Sequence, residues 1–105
     1  MSAYLIVRAE VAVESRESFD EWYESEHLPS ALREFEGVSA MRGWSDVNPD
    51  VHLAFYEFPT LDAANNLLNS NLMKAFIREF DKHWDGKVTR TREVFEVTQL
   101  LTAEG

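Results

Sequence analysis

The sequence predicts an α+β fold with the element order βαββαβ, which is the ferredoxin-like arrangement. Stretches rich in β-branched and aromatic residues flank two stretches whose apolar residues recur at helical spacing. A turn signal separates the two central strands, which predicts a hairpin. Right-handed crossovers then give a four-stranded antiparallel sheet with two helical segments on one face. We expect residues 1–105 to form a single domain, because the chain is too short for two.

The first strand is predicted over residues 4–11, where YLIVRAEV is rich in β-branched residues and too short for a lone buried helix. Ser15 can then cap a helix. Phe19, Trp22 and Tyr23 fall at helical spacing along its inward stripe.

Pro29 predicts a break or kink in this helix around residues 26–28. Proline lacks an N–H group, and its ring would clash with the carbonyl of Ser25 if the helix ran on unbroken. Leu28 is also pushed toward an extended conformation. The same proline suits the first turn of a continuation, which Gly37 is expected to end.

The second half begins with strands predicted over residues 38–46 and 51–58, joined by an NPD turn. Thr60 can cap a helix over residues 61–68. The weak helix formers that follow predict an interruption near residues 69–71. An apolar stripe then continues to Gly86, and a long closing strand is predicted over residues 87–101.

The composition excludes several classes of protein. The chain has no cysteine, so it has neither disulfides nor thiolate metal sites. Ten basic and 19 acidic residues give a net charge of −9 at pH 7, which repels nucleic acids and anionic membranes. The apolar runs are too short for a membrane span, and the N-terminus lacks the basic region of a signal peptide. We expect a cytoplasmic protein that binds neither nucleic acid nor membrane.

The acidic residues are concentrated in the first helical region, as is typical of a solvated helix face. Eight of them fall there: Glu14, Glu17, Asp20, Glu21, Glu24, Glu26, Glu34 and Glu36.

The strands carry apolar residues on both faces. In HLAFYEF, for example, Leu53 and Phe55 alternate with Ala54, Tyr56 and Phe58. A sheet covered by helices on one side only should alternate apolar and polar residues. The simplest cover for the second face is another copy of the same sheet around a two-fold axis. This predicts a homodimer through the sheet face, and ordinary exposure of apolar side chains is the alternative.

One stretch, FDEWYESEHLPSALREFEGVSAMRGW, resembles the first-helix signature of the EthD-like family, in the dimeric α/β-barrel superfamily. The second half, with AFIREFDKHW, fits as well, so the resemblance spans essentially the whole chain. It implies a dimeric α/β barrel with a pocket between helices and sheet, which the helix-1 histidine faces. The superfamily includes monooxygenases, isomerases and haem-binding relatives, so it does not specify a reaction. The matching positions are Phe19, Trp22, Tyr23, His27, Pro29 and Gly37.

His27 is the first candidate for a catalytic residue. An imidazole with an ordinary pKa of about 6.5 can accept and donate a proton at neutral pH, which suits chemistry on small carbonyl compounds. His27 follows Phe19 and Tyr23 at helical spacing and should therefore face inward. The alternative is that its ring nitrogens satisfy backbone groups freed by Pro29. Tyr23 is the second candidate, as a hydrogen-bond donor, although most aromatics at this spacing belong to the core.

The remaining candidates would bind substrate. Aromatic residues are expected to line the pocket: Trp22, Trp44, Phe55 and Tyr56. Arg42 belongs to a set of strand arginines whose planar guanidinium groups could hold a substrate carboxylate. That set is Arg8, Arg42, Arg90 and Arg92. The alternative for these arginines is cross-strand ion pairing with Glu10, Glu57, Glu93 or Glu96.

Three hypotheses for function remain open. The first is a cofactor-independent isomerase, lyase or monooxygenase that acts on a small hydrophobic oxygenated compound. The second is a non-catalytic protein that binds a small ligand or supports a partner enzyme. The third is a haem-binding relative with His83 as axial ligand, although the helix dipole alone favours a cation at that position. Three histidines without H-x-x-H spacing predict no metal site.

Overall fold

A computed structural model describes residues 2–103 of the chain. Four strands form one antiparallel sheet within that range: β1 (Ala3–Val11), β2 (Ser39–Trp44), β3 (Val51–Phe58) and β4 (Val88–Glu96). Their order across the sheet is β2-β3-β1-β4, so β1 and β3 are central. The helical segments are α1 (Arg16–Trp22), α2 (Leu28–Glu34), α3 (Leu61–Leu68) and α4 (Asn71–Trp84). This is the predicted α+β, ferredoxin-like topology.

The first helical region is continuous, so of the break or kink predicted at residues 26–28 the break does not occur. A π-helical turn (Tyr23–His27) joins α1 to α2, and the N–H of Leu28 donates to the carbonyl of Tyr23. Leu28 has φ −65° and ψ −47°, so it is helical rather than extended. Pro29 lies in the first turn of α2, as predicted. The wider π turn accommodates the proline without ending the helix.

Two residues, Glu36 and Gly37, shape the end of α2, whereas Gly37 alone was predicted to end it. Glu36 has a positive φ of 55°, and the N–H of Gly37 donates to the carbonyl of Leu32. Gly37 is required for a different reason, since a Cβ there would lie 3.1 Å from the carbonyl oxygen of Glu57. The glycine therefore allows the chain to pass close to β3 rather than supplying the left-handed residue.

Side-chain caps begin α3 and α4. The Oγ1 of Thr60 accepts from the N–H of Ala63, and the Oγ of Ser70 accepts from the N–H of Met73, both at 3.0 Å. These caps confirm the predicted start of α3 and the interruption before α4. The predicted cap at Ser15 does not form within the described chain.

The closing strand is shorter than predicted and ends at Glu96 rather than at residue 101. Glu96 pairs with Ala3, the first residue of β1. One further backbone bond follows, from the N–H of Val97 to the carbonyl of Ser2 at 3.0 Å, and regular strand pairing ends there.

The sheet has one face against the helices and one face without a cover. The core lies between the sheet and the helices and includes Leu5, Phe19, Tyr56 and Phe80. The uncovered face, which we call the outer sheet face, carries half-buried or exposed apolar side chains from all four strands: Tyr4, Ile6, Met41, Leu53, Phe55 and Phe95.

Candidate functional site

An open groove of about 480 Å³ lies between the first helical region and α4. We call it the outer groove. Its apolar lining includes Trp22, Leu72 and Phe76, which are half-buried. Its acidic lining consists of Glu26, Glu34 and Glu79, which are exposed. The groove thus combines an apolar interior with an acidic border.

A much smaller cavity of about 20 Å³ lies beneath the helices, against the sheet. We call it the inner cavity. Its volume admits about one water-sized group. The polar residues that line it come from the π turn, β3 and β4: Tyr23, His27, Tyr56, Arg90 and Arg92. The pocket implied by the resemblance is therefore present, but in one chain it is nearly closed.

His27 and Phe76 lie between the outer groove and the inner cavity. Each of these two residues lines the groove on one side and the cavity on the other. The imidazole stacks on Trp22, with ring centroids 4.5 Å apart and an interplanar angle of 18°. It meets Tyr23 edge-on at 4.7 Å. The π turn carries both Tyr23 and His27, so this local irregularity positions the imidazole between groove and cavity.

The imidazole of His27 is held in its neutral form. Burial, followed by the positive charge of Arg90, lowers its pKa to about 4. Within residues 2–103, neither ring nitrogen has a hydrogen-bond partner; the ring is surrounded by aromatic side chains instead. The alternative in which His27 satisfies backbone groups freed by Pro29 is therefore not what the structure shows.

Tyr23 forms a buried hydroxyl pair with Tyr56, with their oxygen atoms 3.0 Å apart. Burial raises the pKa of Tyr23 to about 12 and that of Tyr56 well above its ordinary value. Both phenols therefore stay protonated at neutral pH. At the inner cavity they can donate hydrogen bonds but cannot act as bases.

Arg42 and Trp44 do not border the outer groove or the inner cavity. The Nη1 of Arg42 and the Nε1 of Trp44 each donate to Oδ1 of Asp20 at 2.8 Å. Arg42 also approaches Nε2 of His52 at 3.3 Å, which must accept because a guanidinium has no acceptor. This polar cluster attaches α1 to the edge strand β2.

Asp20 and His52 belong to this cluster, although neither was among the predicted site residues. Hydrogen bonds from Trp44 and then Arg42 lower the pKa of Asp20, and burial followed by Arg42 lowers that of His52 to about 4. Asp20 was grouped with the acids of a solvated face. The available signal was its position three residues before Tyr23, which places it at the border of the buried stripe.

Phe55 does not line the pocket within one chain, and that prediction needs correction. Successive strand residues point to opposite faces, and Tyr56 faces the helices. Phe55 pairs with Ile6 and Met41 in the register of β3. It therefore lies on the outer sheet face.

The strand arginines have divergent surroundings. Arg8 pairs with Glu10 at 3.7 Å, but both residues belong to β1, so this is not the cross-strand pairing of the ion-pair alternative. Arg90 pairs instead with Asp81 of α4 at 3.0 Å and lies over the ring of Phe80. The Nη2 atom of Arg92 is buried and has no hydrogen-bond partner within residues 2–103.

The outer groove does not fit a haem. His83 lines it, but its Nε2 atom, one of the two nitrogens that could bind iron, lies 3.3 Å from Oε1 of Glu79. The carboxylates of Glu26, Glu34 and Glu79 would also repel haem propionates. Within residues 2–103, no three His, Cys, Asp or Glu side chains cluster as metal ligands. No helix in that range is long and apolar enough to cross a membrane.

Comparison with known proteins supports the fold. No family model and no curated protein matches the chain. Several solved structures do. A candidate antibiotic biosynthesis monooxygenase from Deinococcus radiodurans is 16% identical with a TM-score of 0.70, covering 98% of this chain and 99% of its own. An EthD family protein from Bacillus halodurans is 17% identical with a TM-score of 0.67, covering 93% and 100%.

A third similar structure is SnoaB from Streptomyces nogalater, a cofactor-independent oxygenase. It is 13% identical with a TM-score of 0.63, covering 97% of this chain and 98% of its own. At such identities the similarity establishes the fold and leaves the activity open. The chain therefore has a ferredoxin-like fold, shared with an EthD family protein and with proteins of the antibiotic biosynthesis monooxygenase type.

Proposed function

We propose that this chain is a small enzyme that uses no cofactor and removes a proton from a small, largely apolar, oxygenated compound, with His27 as the acid/base. The observation that carries this proposal is the position of His27 between the outer groove and the inner cavity, with neither ring nitrogen bonded to the described protein. The ring is half-buried, and neither of its nitrogens is among the buried atoms that lack a partner, so a small molecule in the groove can reach them. This access fits a role toward a substrate.

The proposed reaction begins with neutral His27. A C–H bond next to a substrate carbonyl breaks, and its proton forms an N–H bond on the imidazole. The electron pair moves to the carbonyl oxygen and leaves an enolate. The low pKa of His27 ensures an unprotonated base, and the negative charge created in the same step favours the imidazolium. Isomerisation, elimination and, with dioxygen as co-substrate, oxygenation can all proceed from such an anion.

The other proposed site residues divide into two groups. Trp22 supports the imidazole of His27 by stacking and forms part of the groove wall. Tyr23, supported by Tyr56, offers a hydroxyl donor at the inner cavity. Arg42 and Trp44, which were candidates for substrate binding, hold α1 against β2 and would act on the site only through that attachment.

We also propose that two copies associate through the outer sheet face. Met41 and Phe95 are 58% and 53% exposed there, and Ile6, Leu53 and Phe55 lie between them on the central strands. A contiguous apolar surface of this kind marks an interaction site. Because the surface belongs to the sheet itself, a two-fold copy can cover it with the same residues.

The test of the proposed activity is hydrogen exchange rather than a guessed overall reaction. β-Tetralone is an apolar ketone with acidic C–H bonds, and its exchange in deuterium oxide can be followed by NMR. We expect the wild-type protein to accelerate exchange above buffer and His27→Gln to lose at least about tenfold of that acceleration.

His83→Gln is the matched control, because His83 lines the same groove but is half exposed and bonded to Glu79. It should exchange like the wild type. Equal rates in the wild type and His27→Gln would contradict the proposal. Saturable binding of the ketone without accelerated exchange would favour the second candidate, a non-catalytic binding protein, for which the 480 Å³ volume of the outer groove also argues.

A further inference from the structure

Arg90 and Arg92 place two positive charges on the helix-facing side of β4. Their cross-strand neighbours on β1 are Ala9 and Val7, which offer no charge. Asp81 supplies a carboxylate to Arg90, at 3.0 Å. The buried Nη2 of Arg92 has no partner within residues 2–103. Arg92 as a whole is half-buried, and a buried donor that finds no acceptor costs stability, so its Nη2 is available to a bound acceptor.

The unused donor belongs to a side chain that lines the inner cavity. Tyr23 and Tyr56 present their hydroxyl pair to the same space, and His27 forms part of its wall. The cavity has a volume of about 20 Å³, which admits an oxygen atom but not a ring. The body of a substrate must therefore remain in the outer groove, with one polar atom directed inward past His27 and Phe76.

We propose that Arg92, assisted by the charge of Arg90, forms an oxyanion subsite in the inner cavity that binds the substrate oxygen that becomes negative when His27 takes a proton. This inference rests on the proposed function and specifies its substrate class. Donors fixed where charge develops stabilise the product of proton removal more than the starting compound. The unpartnered Nη2 of Arg92 and the adjacent charge of Arg90 meet that requirement.

The outer groove restricts the substrate class further. Three carboxylates, those of Glu26, Glu34 and Glu79, line it, and no lysine or arginine does. A substrate that is already an anion would be repelled on entry. The carboxylates do not repel a neutral enolisable ketone or phenol. Such a compound becomes negative only when it loses a proton, at which point its oxygen lies next to Arg92. The inferred substrate is therefore neutral in solution and anionic at the subsite.

The test uses para-nitrophenol, whose neutral and anionic forms differ in visible absorbance. In the presence of saturating wild-type protein we expect the apparent pKa of the phenol to fall by about one unit, which is about a tenfold preference for phenolate. Arg92→Met, which keeps the length and removes the charge, should abolish the fall. Arg92→Lys should retain part of it. Arg8→Met is the matched control on the outer sheet face and should retain all of it.

Circular dichroism and thermal melting establish that each variant is folded. The inference is overturned if folded Arg92→Met lowers the phenol pKa as the wild type does, or if the wild type does not lower it at all. His27→Gln separates this inference from the proposed function. If His27→Gln retains the phenol shift while ketone exchange is independent of His27, the subsite stands and the proposed base is wrong. If ketone exchange depends on His27 but the phenol shift is independent of Arg92, the proposed base stands and the subsite is wrong.

Discussion

The pKa values of His27 and His52 are both lowered to about 4, yet the surroundings of the two side chains differ. Nε2 of His52 accepts from Arg42 inside a cluster that joins α1 to the sheet. His27 contacts aromatic faces and borders two spaces. The first imidazole has a bonded structural role, whereas the second has nitrogen atoms free for a substrate. Burial and a nearby arginine are therefore insufficient to identify a catalytic histidine.

The lowered pKa values predict that acid destabilises the fold. Between pH 6.5 and about 4 the unfolded chain binds protons that folded His27 and His52 do not, so stability rises with pH across that window. Each unit of difference in pKa contributes up to about 1.4 kcal/mol per histidine. Thermal melting should show a lower Tm at pH 5 than at pH 7, and His27→Gln should reduce that difference. An unchanged difference in the variant would contradict the prediction.

The carboxylate of Asp20 is predicted to be the main stabilising member of its cluster. Asp20→Ala removes the acceptor of Trp44 Nε1 and of Arg42, whose side chain is only 15% exposed. We expect a loss of about 1–3 kcal/mol in the free energy of unfolding, measured by urea denaturation. Glu17→Ala, an exposed change on the same helix, should cost less than about 0.5 kcal/mol. Equal losses for the two variants would rule out the cluster as a stabilising feature.

At the scale of elements, the sequence predicted the helices and strands better than it predicted their junctions. The 61–68 helix and the 51–58 strand have the predicted bounds, because caps, turn residues and periodicity all agree there. The junction at Pro29 was predicted as a break or kink, since proline disrupts a regular α-helix. Packing of Tyr23 and His27 into the aromatic core selects a π turn instead, and no local pattern encodes that packing.

The π turn is predicted to set the position of His27. It adds one residue relative to an α-helix, so deletion of Ser25, which is exposed, should remove the π turn and bend the helix at Pro29, which a regular α-helix does not accommodate. His27 should then rotate away from Trp22, and its pKa, measured by NMR, should rise from about 4 toward 6.5. Deletion of Val47, which is 91% exposed in a loop, is the control. A His27 pKa unchanged by the Ser25 deletion would contradict this role.

At the scale of the whole molecule, the site and the outer sheet face occupy opposite sides of one sheet. Apolar residues on both faces were visible in the sequence, but their assignment to a face depended on register. Phe55 was therefore assigned to the pocket, although its pairing with Ile6 places it on the outer sheet face. Arg92 was recognised as a strand arginine, but the absence of a partner for its Nη2 within residues 2–103 is a three-dimensional property.

Association through the outer sheet face is predicted to depend on its central residues. Phe55→Asp places a charge among Ile6, Met41 and Leu53 and should shift the sedimentation coefficient at micromolar concentration from that of a dimer to that of a monomer. Val47→Asp, in the exposed loop, should sediment as the wild type does. A well-folded wild-type monomer at the same concentration would exclude this interface.

The stack of Trp22 on His27 has a practical consequence for experiments on this protein. A protonated imidazole withdraws electron density from an excited indole and quenches its emission, whereas a neutral imidazole does so weakly. Trp22 also lines the outer groove, so its emission depends both on the charge of its neighbour and on what occupies the groove. The chain thus carries an intrinsic optical reporter at its candidate site, and no attached dye is needed to follow binding or proton transfer there.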